Sequence, residues 1–192
     1  MKPQASSTHA LTRAATLCDH LRAGSGEPGP VVEELKALGE SAVPAVAALL
    51  REKGAGYAFA LRILAGSRDP EALAALREAA LDPGARDCDR MEAALVLDGH
   101  GDPDGLEVLR RLSRRGTLRA AAYYCLRERE GGLADEDLAL GPYLDDDEVR
   151  PLAVEDLLAR GYETGGSLDD PGRRARFREG WRSGLAGGKR PS

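Results

Sequence analysis

The amino-acid sequence predicts an all-α protein: a right-handed α-α superhelix of about five helix pairs, with a capping helix at each end. Three observations support this prediction. A helical pattern recurs about every 30 residues along the chain. Hydrophobic residues make up 42% of the sequence but aromatic residues only 4%, so the core has to be built from Leu, Ala and Val, of which Leu and Ala favour helices. Prolines stand where second helices would begin, a position that tolerates proline well.

The recurrence is clearest in two stretches, RDPEALAALREA from Arg68 and GDPDGLEVLRRL from Gly101. Each contains Asp, Pro and an acidic residue in succession, followed by a small residue and by leucines at helical spacing. Asp69 and Asp102 stand directly before the prolines and are suited to cap a helix N-terminus. Each stretch is therefore expected to begin the second helix of a two-helix unit.

The first helix of each unit is marked by an anchor residue, usually with a small residue three positions later and Leu seven positions later. The five anchors are Val31, Tyr57, Arg90, Arg119 and Arg150. The small residue lets a neighbouring helix approach closely, and the Leu belongs to a single buried stripe. One pair cannot bury its own stripe, so the units are expected to stack. Burial is predicted for the four equivalent leucines Leu64, Leu97, Leu126 and Leu157.

Two segments, DDDEVRPLAVEDLLARG and GESAVPAVAALL, are similar to the first and second helices of the HEAT-repeat family, in particular of its short bacterial HEAT-like members. The resemblance covers roughly residues 30–161. It implies a solenoid whose concave face can hold a partner. The fourth unit departs from the pattern, because Gly141 and Pro142 interrupt its second helix.

The predicted organisation has four parts: an N-terminal capping helix and linker (1–29), HEAT-like repeats (30–161), a loop and basic capping helix (162–184), and a disordered tail (185–192). The basic helix follows a strongly acidic stretch between Glu130 and Glu148. It either folds back onto the acidic end of its own solenoid or serves as an interaction tail. Phe177 and Trp181, four residues apart, are predicted to share one helix face and to dock on the last pair.

The sequence shows no catalytic, cofactor-binding or metal-binding motif, so we predict a protein that is not an enzyme and needs no cofactor. The three histidines lack metal-ligand spacing, and the neighbouring residues of CDH at 18–20 would point in different directions on a helix. The three cysteines have no metal-ligand spacing either and fit a reduced compartment. No apolar run suggests a signal peptide or a membrane span, so a cytoplasmic location is expected.

Two charged runs have alternative interpretations. The acids of 145–148 precede a first helix, where they would interact favourably with the helix dipole; a bound cation or a basic partner is the alternative. The basic run RRLSRRGTLR, from Arg110 to Arg119, is either a solvated face or a site for phosphate or an acidic partner. Ser113, within this run, is a candidate phosphorylation site.

A series of arginines is the predicted partner-binding site. When the second helices are aligned on their prolines, an arginine follows the same leucine each time, and stacking would place these arginines in a ladder. The candidate residues are Arg51, Arg77, Arg110, Arg111 and Arg114. Such a ladder would select carboxylates or phosphates through bidentate hydrogen bonds. In the alternative interpretation, the arginines suit the last turn of a helix and pair with neighbouring acids such as Glu52 or Glu78.

The sequence thus favours a non-catalytic protein–protein interaction module, a scaffold or adaptor that binds a protein, in particular an acidic or phosphorylated one, on its concave face. The first alternative is a HEAT-like nucleic-acid-binding protein or DNA-repair glycosylase. A net charge of −5 and a single tryptophan, Trp181, argue against it. A chromophore-lyase-like HEAT enzyme is a further alternative without a conspicuous nucleophile. No membrane partner is expected, and no motif indicates an oligomeric state.

Overall fold

The computed structural model describes residues 4–115, 117–129 and 133–183, and all regular structure within these ranges is helical. The all-α prediction is confirmed for this part of the chain. The tail 185–192, predicted to be disordered, lies outside the described residues. The helices are α1 (Gln4–Ala23), α2 (Pro28–Leu38), α3 (Val43–Arg51), α4 (Tyr57–Leu64), α5 (Pro70–Leu81), α6 (Asp87–Gly99), α7 (Pro103–Arg115), α8 (Arg119–Arg127), α9 (Asp135–Leu140), α10 (Arg150–Ala159) and α11 (Pro171–Arg182). Short 3-10 helices lie at Gly39–Ala42 and Pro142–Asp145.

The five predicted anchors fall in α2, α4, α6, α8 and α10, which are therefore the first helices of the pairs. Pro70 and Pro103 are the first residues of α5 and α7, and Pro44 is the second residue of α3. In the fourth pair, α9 ends directly before Gly141, and the chain continues as a 3-10 helix from Pro142. The predicted break in that second helix is confirmed.

The chain divides into two compact units, Met1–Val108 and Leu109–Ser192, with the boundary inside α7. In the first unit, α1, α3 and α5 contact one another in succession. Helices α2, α4 and α6 form a second succession, and contacts of α1 with α2, α3 with α4 and α5 with α6 join the two. The first six helices therefore pack in two rows. In the second unit, α9 contacts α10 and α11.

The repeat positions predicted to be apolar are buried in both units. The four equivalent leucines Leu64, Leu97, Leu126 and Leu157 are each 0% exposed, as predicted. The small residues three positions after four of the anchors, Ala60, Ala93, Ala122 and Ala153, are also 0% exposed. Small side chains at these positions leave room for the neighbouring helix, so the leucines can pack densely against it.

The predicted aspartate caps form at both of the second helices that begin with Asp-Pro. Asp69 Oδ1 accepts the backbone N–H of Glu71 at 2.8 Å, and Asp102 Oδ1 accepts that of Asp104 at 3.0 Å. Each bond satisfies one of the donors that the first turn of a helix leaves without an intrahelical acceptor.

The start of α7 crosses α6 at backbone contact in the first unit. A Cβ atom at Gly105 would lie 2.5 Å from the carbonyl oxygen of Ala94 and 2.6 Å from the backbone nitrogen of Asp98. The equivalent residue of α5, Ala72, is 0% exposed. The small residue is therefore required at Gly105 by the close approach of α6, and at Ala72 the small side chain is fully buried.

The basic C-terminal helix packs on its own unit. Phe177 is only 5% exposed, and the half-buried Trp181 lies one turn further along α11. The ring centroids of Trp181 and Tyr162 are 4.8 Å apart, and those of Trp181 and Phe177 are 6.1 Å apart. Phe177 and Trp181 share one face of α11, as predicted, and the partner of the indole is Tyr162, three residues after the end of α10. Helix α11 itself contacts α9, the second helix of the fourth pair.

Candidate functional site

The predicted arginine series is split between the two units. Arg51 is the last residue of α3 and Arg77 lies in α5, both in the first unit. Arg110, Arg111 and Arg114 lie in the part of α7 that belongs to the second unit.

Arg51 is paired with an acid of the next second helix. Its Nε lies 2.7 Å from Glu78 Oε2, and its Nη2 lies 3.3 Å from Glu78 Oε1. The two side chains remain 40% and 57% exposed. The alternative interpretation named Glu78 correctly, but Glu52 bonds instead to Arg22, at 2.6 Å.

Arg77 is held by the carboxylate that caps α7. Its Nη2 lies 2.5 Å from Asp102 Oδ2, and its Nε lies 2.8 Å from the same oxygen. The arginine side chain is 43% exposed, whereas that of Asp102 is only 6% exposed. One nearly buried carboxylate therefore serves both the helix cap and the cation.

In the second unit, Arg114 Nη2 lies 2.5 Å from Asp137 Oδ1, on α9. Arg110 and Arg111 also have polar or electrostatic partners within the chain. The three pairs Arg51–Glu78, Arg77–Asp102 and Arg114–Asp137 span 27, 25 and 23 residues. Each therefore connects one repeat to the next. The arginines are engaged by the chain's own acids, and their role in binding a partner stays a prediction.

Three aspartates combine a turn hydrogen bond with an ion pair; they are called the bridging aspartates below. Each accepts the backbone N–H of the residue two positions later and also pairs with a basic side chain from an earlier helix or turn. The pairs are Lys53–Asp82, Arg77–Asp102 and Arg119–Asp146. The bond from Lys53, with that from the Gly84 amide, holds the pKa of Asp82 below its ordinary value. Sequence reasoning missed this arrangement, whose signal is a basic residue one repeat before a turn aspartate.

Asp146 shows why such a carboxylate stays ionised. Partial burial alone would raise its pKa, but three hydrogen bonds outweigh that effect and leave the pKa below its ordinary value. The donors are Arg119 Nε at 2.8 Å and the backbone N–H groups of Glu148 at 3.0 Å and Val149 at 3.3 Å. Asp146 therefore stabilises the turn before α10, whereas the N-cap residue of α10, Val149, has no side-chain cap, so the capping interpretation of the acidic run stays a prediction for the helix itself.

The neighbouring acid, Asp145, holds the basic C-terminal helix. Arg178 Nη2 donates to Asp145 Oδ2 at 2.9 Å and to the carbonyl oxygen of Gly141 at 3.0 Å. Arg174 Nε lies 3.4 Å from Asp145 Oδ1. Of the two interpretations of the basic helix, folding back onto the acidic end of its own chain is confirmed.

Ser113 is a correction to the sequence analysis. The residue is 0% exposed, and its hydroxyl donates to the carbonyl oxygen of Arg110 at 2.8 Å. It also lies 2.8 Å from the hydroxyl of Tyr143, a tyrosine whose pKa is raised by burial. A kinase cannot reach this side chain in the folded protein, so Ser113 is a packing residue.

Two clefts lie in the first unit. One, of about 480 Å³, is lined by the apolar residues Leu50, Ala75, Ala79 and Leu81 and by the ion pairs Arg51–Glu78 and Lys53–Asp82. The other, of about 400 Å³, lies where α2 and α4 end and α3 begins. The first cleft contains one member of the predicted arginine series, Arg51, and the second contains none.

The part of the chain that the structure describes shows few features of a metal site, a membrane span or a reactive thiol. No group of three or more His, Cys, Asp or Glu residues there could hold a metal ion. No helix within it is long and apolar enough to cross a membrane. Burial raises the pKa of the Cys18 thiol to about 11, so this thiol is protonated at neutral pH.

No protein-family model, curated protein or solved structure matches the chain. The HEAT-like interpretation therefore stays a prediction.

Proposed function

We propose that the chain is a non-catalytic protein-binding module, built as a HEAT-like right-handed solenoid and acting as a scaffold or adaptor in the cytoplasm. The supporting observation is the packing of α1 to α6 in two rows, with the N-terminal helix α1 and the second helices α3 and α5 in one row and the first helices in the other. Rows of this kind present the same repeat positions side by side on an extended surface, which is how solenoids hold partner proteins.

The ion pairs between successive repeats support the same function. Arg51–Glu78 and Arg77–Asp102 each fix one second helix against the next element of the same row. A surface whose helices are held at fixed spacing loses little conformational entropy when a partner binds. The repeat-to-repeat pairs would therefore preorganise the binding surface.

The exposure of the ion pairs distinguishes the candidate arginines. Glu78 is 57% exposed, and an exposed surface pair contributes only about 0–1 kcal/mol, so a partner carboxylate could replace Glu78 at Arg51 at little cost. Asp102 is 6% exposed and also caps a helix, so its replacement at Arg77 would leave a nearly buried charge unpaired. Arg51, beside the 480 Å³ cleft, is therefore the strongest partner-binding candidate of the series.

The experiment is site-specific photo-crosslinking in cells that produce the protein natively. A photo-reactive amino acid replaces Arg51 or Leu81, at the cleft, or Arg182, an exposed control position on α11. We expect a discrete crosslinked protein from positions 51 and 81 and none from position 182. Crosslinks to nucleic acid, or the same products from all three positions, would contradict a protein-binding surface here.

A further inference from the structure

We propose that the 400 Å³ cleft between the ends of α2 and α4 docks an acidic segment of a partner protein, with Arg62 and Arg68 as its anion-binding residues. This inference rests on the proposed protein-binding function and specifies the chemistry of the partner. It also places the anion-binding groups away from the predicted arginine series.

The cleft combines an apolar floor with a basic edge. Its apolar lining includes Val43 and Ile63, which are 4% and 9% exposed, above the fully buried core residues Leu35 and Leu64. Its charged lining residues are Lys36, Arg62, Arg68 and Glu40, three cations against one acid. The chain as a whole carries a net charge of −5, so this is a local positive region on an acidic protein.

The two arginines of this cleft differ from those of the predicted series in their side-chain contacts. Arg62 and Arg68 are exposed, and neither guanidinium group makes a hydrogen bond or an ion pair with any residue that the structure describes. Lys36 Nζ, the third cation, bonds Glu33 at 3.0 Å, and Glu33 is 71% exposed. Both guanidinium groups are therefore available for bidentate hydrogen bonds to carboxylates.

The repeat register sets two of the three cations side by side. Lys36 stands five residues after the anchor Val31, and Arg62 stands five residues after Tyr57. The helices that carry them, α2 and α4, are neighbours in one row. None of the next three repeats has a cation at this position, so the basic edge is confined to the first two pairs. The residues there are Leu95, Tyr124 and Glu155.

The helix ends around the cleft do not cancel its positive charge. Carbonyl groups at a helix C-terminus carry partial negative charge, which would oppose an anion. Here three of them already accept hydrogen bonds: Lys36 O from the N–H of Gly39, Ile63 O from Gly66 at 3.4 Å, and Leu64 O from Ser67 at 2.9 Å. The charged side chains left to meet a ligand are the three cations and Glu40.

Charge and shape together favour an acidic peptide segment over a nucleic acid. A duplex presents a continuous phosphate backbone, which the acidic surface of this chain would repel outside the cleft. A short segment needs only the local cations, and the apolar floor can take one apolar side chain between its carboxylates. The volume of about 400 Å³ lies at the small end of ligand pockets and suits such a segment.

The test is binding of a fluorescein-labelled peptide of alternating glutamate and leucine to the full chain, followed by fluorescence anisotropy at low salt. We expect saturable binding that weakens at least about tenfold in the double variant R62Q/R68Q, because two charge-assisted contacts are lost. The matched control R176Q/R182Q removes the same charge from two exposed arginines of α11 and should bind like the wild type. The double variant should also unfold at the wild-type temperature, since neither guanidinium group has a partner to lose among the residues that the structure describes.

Three results would overturn the inference: no binding of the peptide, unchanged binding by R62Q/R68Q, or equal weakening in R176Q/R182Q. Displacement of the peptide by duplex DNA of higher affinity would also overturn it and assign the cleft to nucleic acid. If R62Q/R68Q fails to fold, R62K/R68K takes its place, because it keeps the charge, loses the bidentate geometry and should still bind more weakly. A protein captured at position 51 without peptide binding at this cleft would refute the acidic docking site and leave the protein-binding proposal intact.

Discussion

The guanidinium of Arg77 and the carboxylate of Asp102, 2.5 Å apart, join α5 to the first turn of α7. The same carboxylate also caps α7, because its other oxygen accepts the backbone N–H of Asp104. We predict that Asp102→Ala lowers the free energy of unfolding by about 2–4 kcal/mol, since the cap and the ion pair are lost together. Urea denaturation measures the change. The control is Asp69→Ala, which removes the equivalent cap without a paired cation and should cost only about 1 kcal/mol. Equal losses in the two variants would show that Arg77 contributes nothing.

A methyl group at Gly105 should be more damaging than its size suggests. It would meet the backbone of α6 at Ala94 and Asp98, which cannot move aside as a flexible side chain does. We expect Gly105→Ala to destabilise the protein by about 1–3 kcal/mol in urea denaturation. Gly99→Ala is the control, because no atom lies within 4 Å of the added carbon and alanine favours the helix by up to about 1 kcal/mol. A neutral Gly105→Ala would show that α7 can shift away from α6.

Stability should fall as Asp82 and Asp146, two of the bridging aspartates, become protonated. The pKa values of Asp82 and Asp146 are lower in the folded protein than their ordinary values. Both groups therefore bind protons more readily when unfolded, so their contribution is complete above the unfolded pKa of about 3.9 and is lost as the pH falls through the folded values. Melting temperatures between pH 7 and pH 2.5 should decline below about pH 4. In Asp146→Asn the melting temperature should fall less steeply below about pH 4. An unchanged fall in this variant would show that protonation of Asp146 does not contribute to the loss of stability.

The tryptophan reports on the packing of α11. Because Trp181 is half-buried and packs against Tyr162 in a tilted arrangement, its emission maximum should lie to the blue of a fully solvated indole. Tyr162→Ala should shift the maximum to the red while the far-ultraviolet circular dichroism stays helical. Asp145→Asn, which weakens the contacts of Arg178 and Arg174, should give a smaller red shift. A solvated maximum in the unmodified protein would show that α11 is undocked in solution.

The core and the caps could be predicted from the sequence, because both follow from local spacing. Leu64 and Leu157 are buried as expected from a pattern that repeats with the helical period, and Asp102 caps the helix that Pro103 begins. The ion pairs could not be assigned in this way. Glu52 is adjacent to Arg51 in sequence, yet Glu78 is its partner, because the packing of α3 on α5 decides which acid is in reach.

Ser113 shows the same limit for a polar residue. Ser113 lies among arginines in an amphipathic helix, and a segment of that composition predicts a solvent-exposed surface. Its burial depends on Tyr143, 30 residues later, whose hydroxyl supplies the hydrogen-bond partner. Side-chain pairs that distant in sequence leave no periodic signal, and neither does a cleft such as the one beside Arg62 and Arg68.

The bridging aspartates of the first unit also determine how that unit should lose its structure. Asp82 and Asp102 each connect their turn to a single earlier segment, at Lys53 and Arg77, and neither of these two bridges skips a pair. If the proposed solenoid is correct, stability should be a sum of terms between nearest neighbours, as in a one-dimensional array. Melting of the start of α7 removes the anchor of α5 but leaves Lys53–Asp82 intact. We therefore expect the helix pairs of the first unit to lose their protection from hydrogen exchange one after another, beginning at one end of the unit, rather than all together.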